Sequence, residues 1–227
     1  MRNKELTKLI VTAILVAVSI VLDVIVSSIP GLNLSMPFGG KFFGVSILPL
    51  IIIGLMFGLK YGLLGGFTYA IYNFSFDYLI YLSTLKATLE SWTGTPWTFW
   101  HIMALIFFDY LIPFTAYGLV GIFKKDNLNT ISNIVKAVLL VSIVRLISSS
   151  IGGVLLWSSS IKYAASSGEN NIATKIFSFV NNNLVLYSVL YNLTYILTSA
   201  ILVTVILVLS RKNLKLIMDQ SFSSTDQ

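Results

Sequence analysis

The chain has 227 residues, 56% of them hydrophobic and only 11% charged, with a mean hydropathy of +0.86. A soluble domain carries about 25% charged residues, so a water-soluble globule is excluded and a polytopic α-helical membrane protein is expected. A transmembrane β-barrel is excluded too, because the apolar runs are long and continuous instead of alternating over about ten residues. There is no cysteine, which removes disulfides and thiolate metal sites. The net charge of +6 lies mostly in the connections between spans, which speaks for lipid as the surroundings and against nucleic acid as a partner.

The first span is expected over about residues 6–29, behind a basic start with Arg2, Lys4 and Lys8. Its apolar part is too long for a signal peptide, and the stretch Val26 to Pro30 makes a poor cleavage site, so a retained helix is expected. Ala13 and Ala17 stand four apart, a small face on which a partner helix can approach closely. A loop rich in Pro and Gly follows, from Gly31 to Phe43. Spans two and three are expected near 43–57 and 61–82, joined by a tight turn at Gly58 to Gly62. Gly62, Gly65 and Gly66 give span three a thin face.

A polar, aromatic loop is expected over 83–96, then span four over 97–123, closed by Lys124 and Lys125. Span five is expected over 131–157, a polar loop from Ser158 to Asn182, and span six over 183–210. The whole is read as all-α, one integral-membrane domain over residues 1–227, with six transmembrane helices in one bundle. An even number of spans puts both termini on one side. That side carries Arg2, Lys4, Lys8, Lys60, Lys124, Lys125, Arg211, Lys212 and Lys215; the other carries Lys41, Lys86, Lys162 and Lys175. Nine cations against four place the N and C termini in the cytoplasm and the Trp- and Ser-rich loops outside.

Two charges stand out inside spans. Asp109 lies 12 residues after Trp97, about 18 Å along a helix, and Arg145 lies 12 residues before Trp157, at matching depth on an antiparallel neighbour. A charge at that depth costs roughly 2.5–3.5 kcal/mol unless compensated. Asp109 and Arg145 are therefore a candidate ion pair; alternatively, Asp109 faces a cationic or amine-bearing ligand with Arg145 as its neighbour. Trp157, Ser149, Tyr187, Asn192 and Tyr110 converge by depth near Asp109, and stacking faces beside an amide and a carboxylate suit a flat heteroaromatic ligand. Trp92, Trp97 and Trp100 read as interfacial belt residues. The lone His101 reads as a hydrogen-bonded structural residue. No metal-ligand cluster, nucleophile–base pair or Walker A loop is present in the sequence, so no catalytic residue, metal or cofactor is expected.

Four patches resemble the substrate-binding S components of energy-coupling factor (ECF) vitamin transporters, closest to the thiamine-specific family. They are Gly58 through Gly66, Asp109-Tyr110-Leu111 with Gly118 through Phe123, Arg145 through Gly153 to Trp157, and Tyr187-Ser188 with Asn192. The resemblance implies a bacterial plasma-membrane protein that captures thiamine or a related heterocyclic vitamin from outside. ATP-driven uptake would then follow through a coupling transmembrane protein and two cytosolic ATPases. It assigns ligand binding to Asp109, Tyr110, Trp157, Tyr187 and Asn192, with Ser149 standing where that family has His and Asp109 where it has Glu. Ala13 and Ala17 become the face for the coupling protein. An S component for another vitamin such as riboflavin, a standalone transporter, and a membrane enzyme or assembly subunit remain alternative readings.

Overall fold

The structure, a computed structural model, describes residues 2–79, 81–123 and 130–223. It is all-α, with a single antiparallel bridge between Ser35 and Lys41 among the described residues. The helices are α1 (Arg2–Ser28), α2 (Ile47–Phe57), α3 (Leu59–Phe74), α4 (Leu82–Thr93), α5 (Phe99–Leu105), α6 (Ile112–Thr115), α7 (Ile131–Leu156), α8 (Ser158–Ser166), α9 (Ile172–Phe179) and α10 (Leu184–Ser223). α3 runs on into a π turn, Ser75–Leu79. Between α5 and α6 lies a second π turn, Ile106–Leu111, and a 3-10 stretch, Ala116–Phe123, completes a continuous rod.

Four helical runs are long and apolar enough to cross a bilayer: Lys4–Ser28, Phe99–Phe123, Ile131–Leu156 and Leu184–Ile217. They match expected spans one, four, five and six, although α10 extends well past residue 210. Expected spans two and three are shorter than anticipated, because α2 starts only at Ile47 and α3 with its π turn ends at Leu79. Two stretches expected as loops are helical: α4 fills most of 83–96, and α8 and α9 fill most of 158–182. Their polar faces hid this, since a short helix lying across the end of a bundle carries too few apolar residues to look like a span. Lys124 and Lys125 lie outside the described residues.

The helix break at Gly58 has a backbone cause: its φ is +88°, a conformation open to glycine, and it lets α2 fold straight back along α3. Behind that turn the chain is packed backbone to backbone. A Cβ on Gly118 would strike the backbone of Gly62 and Leu63, and one on Gly121 would strike Gly58 and Leu59. The glycines of α3 and of the 3-10 stretch thus face each other, a seam that only residues without side chains allow. Around it Leu50, Ile51, Ile53, Tyr69, Tyr117 and Val120 form the largest apolar cluster. α1 lies against this unit through Thr12, Val16 and Ser19, all buried, and leaves Ala13 and Ala17 exposed.

Gly118→Ala is expected to lower the thermal stability of the detergent-solubilised protein by the equivalent of about 1–3 kcal/mol through overpacking. Gly168→Asn, at a left-handed position with open space around it, should stay within about 0.5 kcal/mol in the same melting experiment.

Candidate functional site

Pro113 shapes the centre of the site. It has no N–H, so neither the carbonyl four residues back (Asp109) nor the one five back (Phe108) receives a helical bond from it. The neighbouring N–H of Ile112 reaches Phe107, a five-residue step, and the chain widens into the π turn over Ile106–Leu111. This frees the carbonyl of Phe108, and the Ser148 hydroxyl of α7 donates to it at 2.8 Å. The π turn is thereby tied to α7, and Asp109 is turned toward that helix.

There the indole N–H of Trp157 donates to Asp109 Oδ2 at 2.7 Å. Trp157 caps the C-terminus of α7, where the chain turns into α8. Gly152 makes the approach possible, since a Cβ at that position would collide with Asp109 Oδ1. Gly153 beside it gives room in the same way to the Ser188 hydroxyl of α10.

A cavity of about 590 Å3 opens at this point and collects Asp109, Tyr110, Arg145, Ser149, Trp157, Tyr187 and Asn192 on its walls. Every sequence-derived ligand candidate therefore lines one space. Asp109 and Arg145 share that space, but no salt bridge joins them; the carboxylate takes the indole, and the Arg145 guanidinium lies over the Tyr117 ring, 4.8 Å from its centroid. Asn192 is held within the protein: its amide donates to the carbonyls of Ser188 at 2.8 Å and Ser149 at 3.2 Å, and its oxygen accepts from the Tyr195 hydroxyl. Tyr110 packs edge-on against Phe74.

Three features escaped the sequence reading. The first is a tyrosine ladder on α10. Tyr187, Tyr191 and Tyr195 stand at a spacing of four on one face and all line the cavity, with ring centroids 5.5 and 6.4 Å apart. That spacing was readable. The second is the connection from residue 29 to 46, which lies over the cavity. The Tyr191 hydroxyl accepts from the Phe38 N–H at 2.8 Å, and Lys41 forms a 2.8 Å salt bridge with Asp23 of α1. The third is Asp77, in the other π turn, whose carboxylate lies 3.5 Å from the Tyr110 hydroxyl. Two π turns therefore each bring a carboxylate to one cavity. Counting all cavity-lining charges, Asp23, Asp77 and Asp109 face Lys41 and Arg145, so the lining carries one more negative than positive group.

The other aromatic and histidine readings divide. Trp97 is buried, 6.4 Å from the Trp157 ring, so it is a wall behind the site and not a belt residue. Trp100 is exposed, as a belt residue is. Trp92 stacks on Tyr163 at 4.9 Å and holds α4 against α8. Nδ1 of His101 accepts from the Thr98 N–H at 3.1 Å, so His101 closes the first turn of α5.

An all-α bundle with several bilayer-length helices around a polar, aromatic cavity defines the class: a multi-pass membrane protein with a cavity of small-molecule size. Residues 88–218 match the family described as thiamine transporter protein (Thia_YuaJ), which is more than half of the chain, and the chain belongs to that family. It is 26% identical over 208 residues to the thiamine transporter ThiT of Bacillus subtilis (strain 168), covering 92% of each sequence. The fold is shared with a solved structure of ThiT from Listeria monocytogenes, at a TM-score of 0.62 and 18% identity, over 95% of this chain and 99% of that one. The protein is thus a transporter of the cell membrane and not an enzyme.

Ser148→Ala removes the donor to the Phe108 carbonyl without touching the cavity wall. It is expected to cost about 1–3 kcal/mol, read as a lower melting temperature. An unchanged melting temperature would show that the π turn holds without its tie to α7.

Proposed function

We propose that this protein is a single six-span membrane domain with both termini in the cytoplasm, and that it is the thiamine-capturing S component of an ECF-type importer. The observation that supports the ligand most directly is the Asp109–Trp157 pair at the wall of a cavity whose lining has excess negative charge. Thiamine is a permanent thiazolium cation joined to an aminopyrimidine. A carboxylate suits the exocyclic amine or ring nitrogen, and aromatic faces suit both rings.

In this reading Asp109 orients the ligand and Trp157 both stacks on it and fixes the carboxylate. Tyr110 and Tyr187 provide further ring faces and hydroxyls. Ser149 lies on the wall where the related family carries His, and offers a smaller hydrogen-bonding group there. Asn192 sets the Ser149 backbone and Tyr195 more than it spends bonds on the ligand. Arg145, without a carboxylate partner, serves the polar end of the ligand.

Energy for uptake must come from elsewhere, since the sequence has no Walker A loop. A coupling transmembrane protein docking on the Ala13 and Ala17 face, with two cytosolic ATPases, supplies it in this proposal. The exposure of both alanines on α1 supports that face.

The first test is thiamine titration of the purified protein, followed by quenching of intrinsic Trp fluorescence, with riboflavin as the control. Saturable quenching by thiamine alone is expected. Asp109→Asn and Trp157→Ala should each weaken binding by at least about tenfold, or ~1.4 kcal/mol, whereas Trp92→Ala should change it less than about threefold. Wild-type affinity in both cavity variants removes this cavity as the site. For the coupling step, vesicles holding this protein alone should accumulate no thiamine above the external level. Concentrative, ATP-dependent uptake should need the coupling protein and ATPases, and uptake without them overturns that part.

A further inference from the structure

A second cavity, of about 580 Å3, lies away from the ligand site, between α9 and the first half of α10. Its walls are almost wholly apolar, with Ile176 and Phe179 on one side and Leu190, Leu193 and Leu197 on the other, and one cation, Lys175, at its edge. α9 buries Ala173 and Phe177 against the tyrosine ladder of α10, so its inner face is already used. What lines the groove is its outer face, where Phe179 is 81% exposed.

The position of this groove selects its occupant. α9 belongs to the connection between two bilayer-length helices, so it lies at a membrane surface. Leu190 and Leu197 stand 6 and 13 residues after Leu184, about 9 and 20 Å along α10 and within its bilayer-length apolar run. The groove therefore runs from headgroup level into the acyl layer. A soluble protein cannot reach its lower half. Among the described residues no carboxylate is salt-bridged to Lys175, and its ammonium is therefore left to meet an anion at headgroup depth.

We propose that the α9–α10 groove is a binding site for one anionic phospholipid, with an acyl chain along Leu190, Leu193 and Leu197 and the phosphate at Lys175. The site goes beyond thiamine capture and does not depend on it. A bound lipid here wedges α9, whose other face packs on Tyr187 and Tyr191 of the cavity wall.

The test is native mass spectrometry of the detergent-purified protein with equimolar dioleoyl-phosphatidylglycerol and dioleoyl-phosphatidylcholine. Wild type should retain the anionic lipid about fivefold over the zwitterionic one, the preference one lysine gives near a membrane surface. Lys175→Gln should bring that ratio to about one, and Lys162→Gln, on neighbouring α8, should leave it unchanged. Leu197→Trp, which fills the groove, should lose both lipids. Equal retention of the two lipids by wild type overturns the proposal, as does a preference that survives Lys175→Gln. A lipid-free dimer that Leu197→Trp dissociates overturns it as well, since the groove would then belong to a second copy.

Discussion

The site depends on holding one carboxylate inside a membrane protein without a cation bonded to it. An ionised side chain at that depth costs a few kcal/mol on insertion scales, and a full salt bridge would offset this cost while closing the group to a ligand. The structure takes an intermediate course. The indole N–H of Trp157 gives Asp109 one short hydrogen bond, and Oδ1 is left to the space that Gly152 opens. Arg145 lies in the same cavity but spends its charge on the face of Tyr117. The carboxylate therefore holds one indole hydrogen bond and no salt bridge to Arg145.

That arrangement needs backbone geometry an ordinary helix lacks. Pro113 cannot donate and the Ile112 N–H goes to Phe107, which leaves the Phe108 carbonyl free for the Ser148 hydroxyl of α7. Rigidity comes from the other half of the molecule. The seam of Gly62 against Gly118 and Gly58 against Gly121 fixes the rod that carries Asp109 to α3, which carries Asp77. The two π turns thus sit on helical runs whose backbones are in direct contact, and each contributes a carboxylate to the cavity lining.

Much of this was legible in the sequence, and the reason is the membrane itself. Lipid forbids unpaired polar groups, so Asp109 and Arg145 stood out at once, and their matching depth with Trp157, Tyr187 and Asn192 followed from helix rise alone. Depth does not give azimuth. Two charges on facing helices read as a pair, while the Trp157 indole, projecting from the end of α7, was the nearer partner. Helices α4, α8 and α9 were missed because each is short and carries too few apolar residues to read as a span. Trp97 was misjudged because a tryptophan at the end of an apolar run can face lipid or the protein, and only its burial beside Trp157 decides.

The segment from residue 29 to 46 shows how a stretch without helix is held over the cavity. It has almost no regular backbone pairing beyond one bridge, and it is held to the bundle by side chains: Lys41 to Asp23, the Tyr191 hydroxyl to Phe38 and Gly39, and Ser199 to the carbonyls of Lys41 and Phe42. Each such bond contributes about 1 kcal/mol net, and Met36 adds a buried apolar anchor in the cluster with Ile161, Phe177 and Tyr191. The same tyrosine face that lines the cavity also ties this cover down. Tyr191 thus belongs at once to the cavity wall and to the anchorage of the segment above it, so one side chain carries both packing around the cavity and the hold on its cover.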